Sequence, residues 1–275
     1  MRIASWNVNS IKVRGQQVAD WLHASDTDVL LIQELKCQDD AFPHQLFSDI
    51  GYQVIVHGQK TYNGVAIASR LPMQERRRGL PGCDGKAATE DEQARYLEVL
   101  IESVVIGCLY LPNGNPVNDP ESGAISAKFD YKLSWMERLA CHIERLDREA
   151  LPLVLGGDYN IIPQACDCHD IDAWRGDALH RPESMAAWRR LRWLGMQDAF
   201  RVIHPAIMAF SYWDYQGGAW QKDHGIRIDH LLLNAEATDL LVDAGIDKGP
   251  RNNERASDHT PAWCQLNTQS KTKAT

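Results

Sequence analysis

Leu153-Val154-Leu155-Gly156-Gly157-Asp158-Tyr159-Asn160 begins as an apolar run, passes through two glycines and stops on an acid. A short apolar run that ends this abruptly reads as a buried strand. Residues 2–7, 28–34, 104–110 and 227–234 repeat the pattern, and 152–158 contains the quoted stretch. Further strands are expected near 52–56, 64–69, 95–101, 210–213, 241–246 and 261–266. That is more strand than one sheet holds comfortably.

Between the strands lies helical periodicity. In 124–148, Phe129, Leu133, Met136, Leu139, Ile143 and Leu146 recur three or four residues apart and form one apolar stripe. Shorter helices are expected at 15–24, 41–49 and 183–194, the last announced by Pro182 and Glu183. Strands and helices interleave along the whole chain, which suits an α/β fold of two packed sheets with helices outside.

The 275 residues, 44% hydrophobic, suffice for one large core, and a single domain over 1–267 with a disordered tail at 268–275 is expected. Loops rich in Gly, Pro and Asn are expected at 79–93 and 112–123. No apolar run approaches the roughly 20 residues a bilayer crossing needs. The chain shows no export signal, and its seven cysteines are scattered with no CxxC pair. A reduced cytoplasmic setting is the expectation. The net charge of −8 argues against nonspecific wrapping of nucleic acid. It leaves DNA open as a substrate, because a nuclease gathers carboxylates around a cation. Arg76-Arg77-Arg78, and Arg189, Arg190 and Arg192 between Trp188 and Trp193, are candidates for a local DNA-facing patch, against the plainer reading of solvated surface.

Asn7, Glu34, Tyr110, Asp158, Asn160 and Asp229 all fall at or just past a strand end. None serves the core, so their shared placement points to one edge of the sheets and a common task. Mg2+ takes oxygen ligands and needs only one or two protein carboxylates beside a substrate phosphate, and Glu34 is the first-choice ligand. Asp158 and Asn160, two apart on an extended chain, face one side. One can hold or activate water while the other donates to a phosphate oxygen. In Ser257-Asp258-His259, neighbours point to opposite faces, so Asp258 is not the partner of His259. Asp229 is expected to hold that imidazole, leaving His230 structural. Cys166-Asp167-Cys168-His169 fits no closed zinc site. GxSxG, GxxxxGK[ST] and HExxH are absent from the sequence.

Trp6-Asn7-Val8-Asn9, Leu31-Ile32-Gln33-Glu34, Tyr62-Asn63-Gly64-Val65-Ala66, Tyr110-Leu111-Pro112-Asn113-Gly114, Gly156-Gly157-Asp158-Tyr159-Asn160, Arg227-Ile228-Asp229 and Ser257-Asp258-His259 together resemble the exonuclease III branch of the endonuclease/exonuclease/phosphatase superfamily, in order over about residues 1–266. The resemblance implies a deoxyribonuclease I-like, four-layered α/β sandwich of two mixed sheets flanked by helices. It also implies dependence on Mg2+ or Mn2+, and a monomer acting on double-stranded DNA. The reactions implied are cleavage 5' to abasic sites and 3'-end processing, as 3'-5' exonuclease and as 3'-phosphatase or phosphodiesterase. By the same resemblance Glu34 binds metal, with Asn7, Asn9 and Asp258 near it. Asp158 orients or deprotonates water, Asn160 and Asn113 bind phosphate, Tyr110 contacts it or assists the leaving group, and His259, held by Asp229, stabilises developing charge. Which group is the base stays open.

Phe210-Ser211-Tyr212-Trp213-Asp214-Tyr215, with Ile226 and Ile228, resembles the family's pocket for a flipped-out abasic sugar. Walls of Tyr212, Trp213 and Ile226 are expected to admit a baseless sugar and refuse a full nucleotide. Gly114-Asn115-Pro116 and Gln216 stand where some relatives carry an Arg and an apolar wedge for the DNA groove. His180 is expected to narrow the pocket mouth and shift the balance toward 3' ends. The alternatives are a nonspecific deoxyribonuclease or lipid phosphodiesterase of the same superfamily, a 3'-end enzyme with weak action at abasic sites, and a catalytically dead DNA-binding protein.

Overall fold

The computed structural model describes residues 1–86 and 91–268. One sheet is built from β1 (Arg2–Asn7), β2 (Val29–Gln33), β3 (Gln53–His57), β4 (Val65–Ser69), β11 (Leu241–Ile246) and β12 (Ala262–Leu266), in the order β11-β12-β1-β2-β4-β3. The other contains β5 (Met73–Arg78), β6 (Tyr96–Ile101), β7 (Val104–Tyr110), β8 (Leu153–Asp158), β9 (Gln197–Asp198) and β10 (Asp229–Leu233), in the order β5-β6-β7-β8-β10-β9. Each sheet has a parallel pair at its centre, β1 with β2 and β7 with β8, among antiparallel neighbours. Both faces of these central strands are covered, which is why β2 and β7 are nearly continuous apolar runs with no alternation.

Three apolar layers separate four structural ones. Ile3, Val29, Leu31 and Ile67 of the first sheet meet Val99, Ile106, Val154 and Leu231 of the second. Behind the first sheet, Trp6, Leu30 and Ile32 pack on α1 (Ile11–Ala24) and α2 (His44–Ser48) through Val18, Leu22 and Phe47. Behind the second, Val105 and Leu155 pack on α3 (Ala127–Asp147) and α4 (Pro182–Trp193) through Trp135, Leu139 and Trp188. Ser126 caps α3 by accepting from the Phe129 N–H. Two short helices, α5 (Ala199–Ile203) and α6 (Ala235–Thr238), flank β10. The architecture is the four-layered α/β sandwich.

The differences from expectation are local. Residues 210–213 form no ladder strand; Tyr212 makes isolated bridges to Ile226 and His259. Two strands were missed: the two-residue β9, and β5, whose charge hides its extended conformation, as is common on a sheet edge. Two of its three arginines, Arg76 and Arg78, are consumed by ion pairs. Arg76 pairs with Glu98 and Glu149 at 2.9 and 2.7 Å, and Arg78 with Glu75 and Asp39 at 2.7 and 2.9 Å. Arg190 of α4 likewise pairs with Glu137 and Glu144. Cys83 and Cys141, 58 residues apart, form a disulfide between the segment after β5 and α3. Scattered spacing did not announce it, and it departs from the all-thiol expectation. Of the segments expected to be loop and tail, 87–90 and 269–275 lie outside the described residues. No helix among the described residues is long and apolar enough to cross a membrane.

Candidate active site

Strand register assembles the site. Tyr110 on β7 and Asp229 on β10 are both direct partners of Asp158 on β8, one from each side. Gly157 makes the close spacing possible, since a Cβ there would lie 1.9 Å from the Leu109 carbonyl oxygen. At Gly156 it would meet Leu31 of the facing sheet at 2.5 Å. The two glycines thus let β8 sit tight against both neighbours just before it delivers its acid. Beyond the strand ends the chain turns through left-handed residues, Glu34 at φ 55° and Asn160 at φ 48°. Such backbone is uncommon for side chains of this size and accompanies functional loops.

Glu34 Oε1 accepts from the Asn7 amide at 2.9 Å and the Tyr110 hydroxyl at 2.8 Å, and Oε2 lies 2.9 Å from the Lys36 ammonium. Burial works to raise this carboxyl's pKa, but the Asn7 bond and the Lys36 charge outweigh it and hold it below the usual value. Asn7 also donates to Asp158 Oδ2 at 3.0 Å, and its own oxygen accepts from the Asn9 N–H at 3.0 Å. Asn7 therefore acts as a strut between two acids, beside the Glu34 carboxylate. Asn9 donates to Asp258 Oδ1 at 3.1 Å and accepts from Lys36. Lys36, which the sequence reading passed over, so links the Glu34 and Asp258 sides.

Asp158 accepts from the Asn160 N–H at 2.9 Å. His259 places Nδ1 2.8 Å from Asp229 Oδ2 and Nε2 3.8 Å from Asp158 Oδ2. Burial pulls the imidazole pKa down, yet Asp229 and Asp158 overcome it and raise it to about 10. Burial, with Asp229 adding to it, pushes Asp158 up to about 7 against the pull of His259. Ser211 donates to Asp229 Oδ2 at 2.6 Å, while Oδ1 of Asp229 is buried without a hydrogen-bond partner. His230 points the other way, to Arg227 and the Ile161 carbonyl.

Asn113 donates to Asn160 Oδ1 at 2.8 Å, and the ammonium of Lys132 on α3 reaches the main-chain carbonyls of both, at 3.0 and 2.7 Å. Lys132 is wholly buried, and burial lowers its pKa to about 7. Nothing in the α3 stripe distinguished it. Above these groups lies a cavity of about 220 Å³. Glu34, Tyr110, Asn113, Asp158, Asn160, Asp258 and His259 line its polar side, and Leu179, Tyr212, Ile226 and Ile228 its apolar side. Tyr212 sets its ring edge against His259, centroids 4.9 Å apart. Two expected wall residues are absent. Trp213 is fully buried with its indole N–H on Asp223, and His180 turns its ring to the Ile162 carbonyl. Their places are taken by Trp174, Leu179 and Asn115, which no local pattern marked.

Ligand atoms of Asp158, Asp229 and His259 lie within 4.8 Å of one another, with Glu34 across the Asn7 strut. The ionised Glu34 carboxylate and the buried Asp229 oxygen without a partner are hard oxygen donors that fit a divalent cation such as Mg2+ or Mn2+, whereas His259 in its protonated form offers no lone pair to the ion.

Residues 4–259 match the model of the endonuclease/exonuclease/phosphatase family. Exodeoxyribonuclease III of Haemophilus influenzae is 32% identical over 273 residues, covering 97% of this chain and all of the relative. An AP endonuclease from Archaeoglobus fulgidus superposes with a TM-score of 0.88 at 31% identity, over 97% of this chain and 99% of the other. The 3' phosphatase NExo from Neisseria, solved bound to a product DNA hairpin, superposes with a TM-score of 0.89 at 34% identity, over the same shares of the two chains. Full-length likeness in sequence and fold leaves one assignment: the chain belongs to the endonuclease/exonuclease/phosphatase family, in its exodeoxyribonuclease III branch.

Proposed function

We propose that this nuclease repairs DNA by hydrolysing the phosphodiester 5' to abasic sites and by clearing 3' ends, acting as a cytoplasmic monomer on double-stranded DNA with Mg2+ or Mn2+. The observation that carries the reading is Asp158 set between a cationic His259 and the apolar wall of Ile226 and Ile228. A phosphate over Asp158 then has its sugar against that wall.

The residues divide the work. Asp158, its pKa raised toward neutrality by burial, orients a water and accepts its proton as the oxygen attacks phosphorus. His259, kept protonated by Asp229, faces the charge that develops on the phosphoryl oxygens. Asn113 and Asn160 hold the phosphate, and the Tyr110 hydroxyl is placed to reach the leaving oxygen. Glu34 and Asp229, with Asp258 through Asn9, would hold the divalent ion, which supplies Lewis-acid polarisation of the phosphate and charge for the leaving group. Leu179, Tyr212, Ile226 and Ile228 receive the extruded sugar, which costs least to flip when no base is stacked.

A duplex with one abasic analogue, and a matching duplex ending in a 3'-phosphate, test this in Mg2+ and in chelator. Metal-dependent incision at the lesion and release of phosphate are expected. Uniform cutting of intact DNA would replace the reading with a nonspecific deoxyribonuclease.

A further inference from the structure

A second cavity of about 230 Å³ lies beside the first. Trp174, Tyr212 and Ile226 line both. The remaining wall is of a different kind: His169 and His224 stack face to face, centroids 4.5 Å apart and 5° from parallel, and Asp214, Gln216, Gly217 and Ala219 complete it. Both histidines are exposed, and neither belongs to the hydrolytic machinery.

We propose that this second cavity is a nucleobase subsite, taking the base of a 3'-terminal nucleotide whose phosphodiester lies over Asp158. This rests on the phosphodiesterase reading and adds a substrate class to it. Once phosphate sits among Asn113, Asn160 and His259, and sugar against Ile226 and Ile228, the base is the one part of a nucleotide still to be housed. The shared residues Trp174, Tyr212 and Ile226 mark where it leaves the first cavity. Trp174, Tyr212 and the histidine pair all line this cavity, and such rings can stack on a base of any identity because every base has a π-face. A sugar pocket that refuses a full nucleotide and a chain that removes base-bearing nucleotides are then compatible, because the base occupies separate space. Baseless 3'-phosphates and abasic sites do not use that space.

The test compares kcat/KM for removing an ordinary 3'-terminal nucleotide with kcat/KM for removing a 3'-phosphate from the same duplex. It uses wild type, His169→Ala/His224→Ala and, as an independent block of the cavity, Ala219→Trp. Loss of stacking should slow nucleotide removal by about tenfold and weaken any preference for purines. Phosphate removal should stay at the wild-type rate, which also certifies that the variants fold. Equal effects on both substrates, or none on either, would overturn the subsite. A wild type inactive on the 3'-phosphate would overturn the phosphodiesterase reading and the subsite with it.

Discussion

His259 is held by Asp229 across 30 residues of chain, Nδ1 to Oδ2 at 2.8 Å, and not by its sequence neighbour Asp258. The carboxylate fixes the ring and favours its cationic form. Asp229→Asn keeps the shape but removes the charge that sustains the imidazolium. Turnover should fall by about a hundredfold or more, with DNA binding retained. Stopped-flow incision and gel-shift binding check this, and a parallel loss of affinity would count against the role. Asp158→Asn and His259→Asn should behave alike, since both act on the transition state and not on grip.

Asp158 must be ionised to accept a proton, and burial holds its pKa near 7. A raised carboxyl pKa means that the reactive form is lost as pH falls through that value. kcat/KM should therefore decline below about pH 7, and a bound divalent cation, which favours the carboxylate, should move the decline to lower pH. A pH profile at two metal concentrations measures the displacement. An inflection that ignores metal would separate Asp158 from the cation.

Most of this was legible for a physical reason: central strands covered on both faces must be apolar, so a polar residue closing such a run stands out. Glu34, Tyr110 and Asp158 were visible that way, and Asp229 as the polar residue that opens β10. What escaped depends on contacts that leave no local trace. Lys36 lies in a loop, Lys132 interrupts no stripe, and Trp174 and Leu179 enter the pocket wall from a connection of single turns. Trp213 and His180 misled for the converse reason. An aromatic or imidazole near a site can as well turn inward, and these two found partners in Asp223 and the Ile162 carbonyl. Arg76 and Arg78 looked like a DNA patch because their acidic partners arrive from β6, the segment after α3 and the segment after β2.

Glu34 is ionised and meets Lys36 at 2.9 Å, so a divalent cation must compete with that ammonium. Glu34→Gln should raise the Mg2+ concentration for half-maximal rate by at least about tenfold. Thermal unfolding with and without Mg2+ gives a readout free of catalysis. Wild type should gain melting temperature on adding metal, and the variant should gain less. Equal gains would place the ion elsewhere.

Arg227 is almost wholly buried and donates to Asp167 at 2.7 Å and to Asp198 at 2.7 Å, two residues before Asp229. Removing one member of such a group strands the others without water. Arg227→Met should destabilise the fold by about 3–5 kcal/mol, measured by urea unfolding. Arg201 also pairs with Asp167, so replacing Arg227, Arg201, Asp167 and Asp198 together by apolar residues should cost less than the single change.

Lys132 carries the last prediction, because its ammonium joins the backbones of Asn113 and Asn160 from inside the core. Burial lowers its pKa from 10.5 to about 7. Between those values the unfolded chain holds a proton that the folded one does not, so this group makes stability rise with pH, by at most about 1.4 kcal/mol per pH unit. Lys132→Met removes that slope and leaves two carbonyls without their donor, a cost that does not vary with pH. Urea midpoints for both proteins from pH 7 to 10 should therefore diverge steadily in favour of wild type. A constant gap would show that the ammonium keeps its ordinary pKa inside the fold.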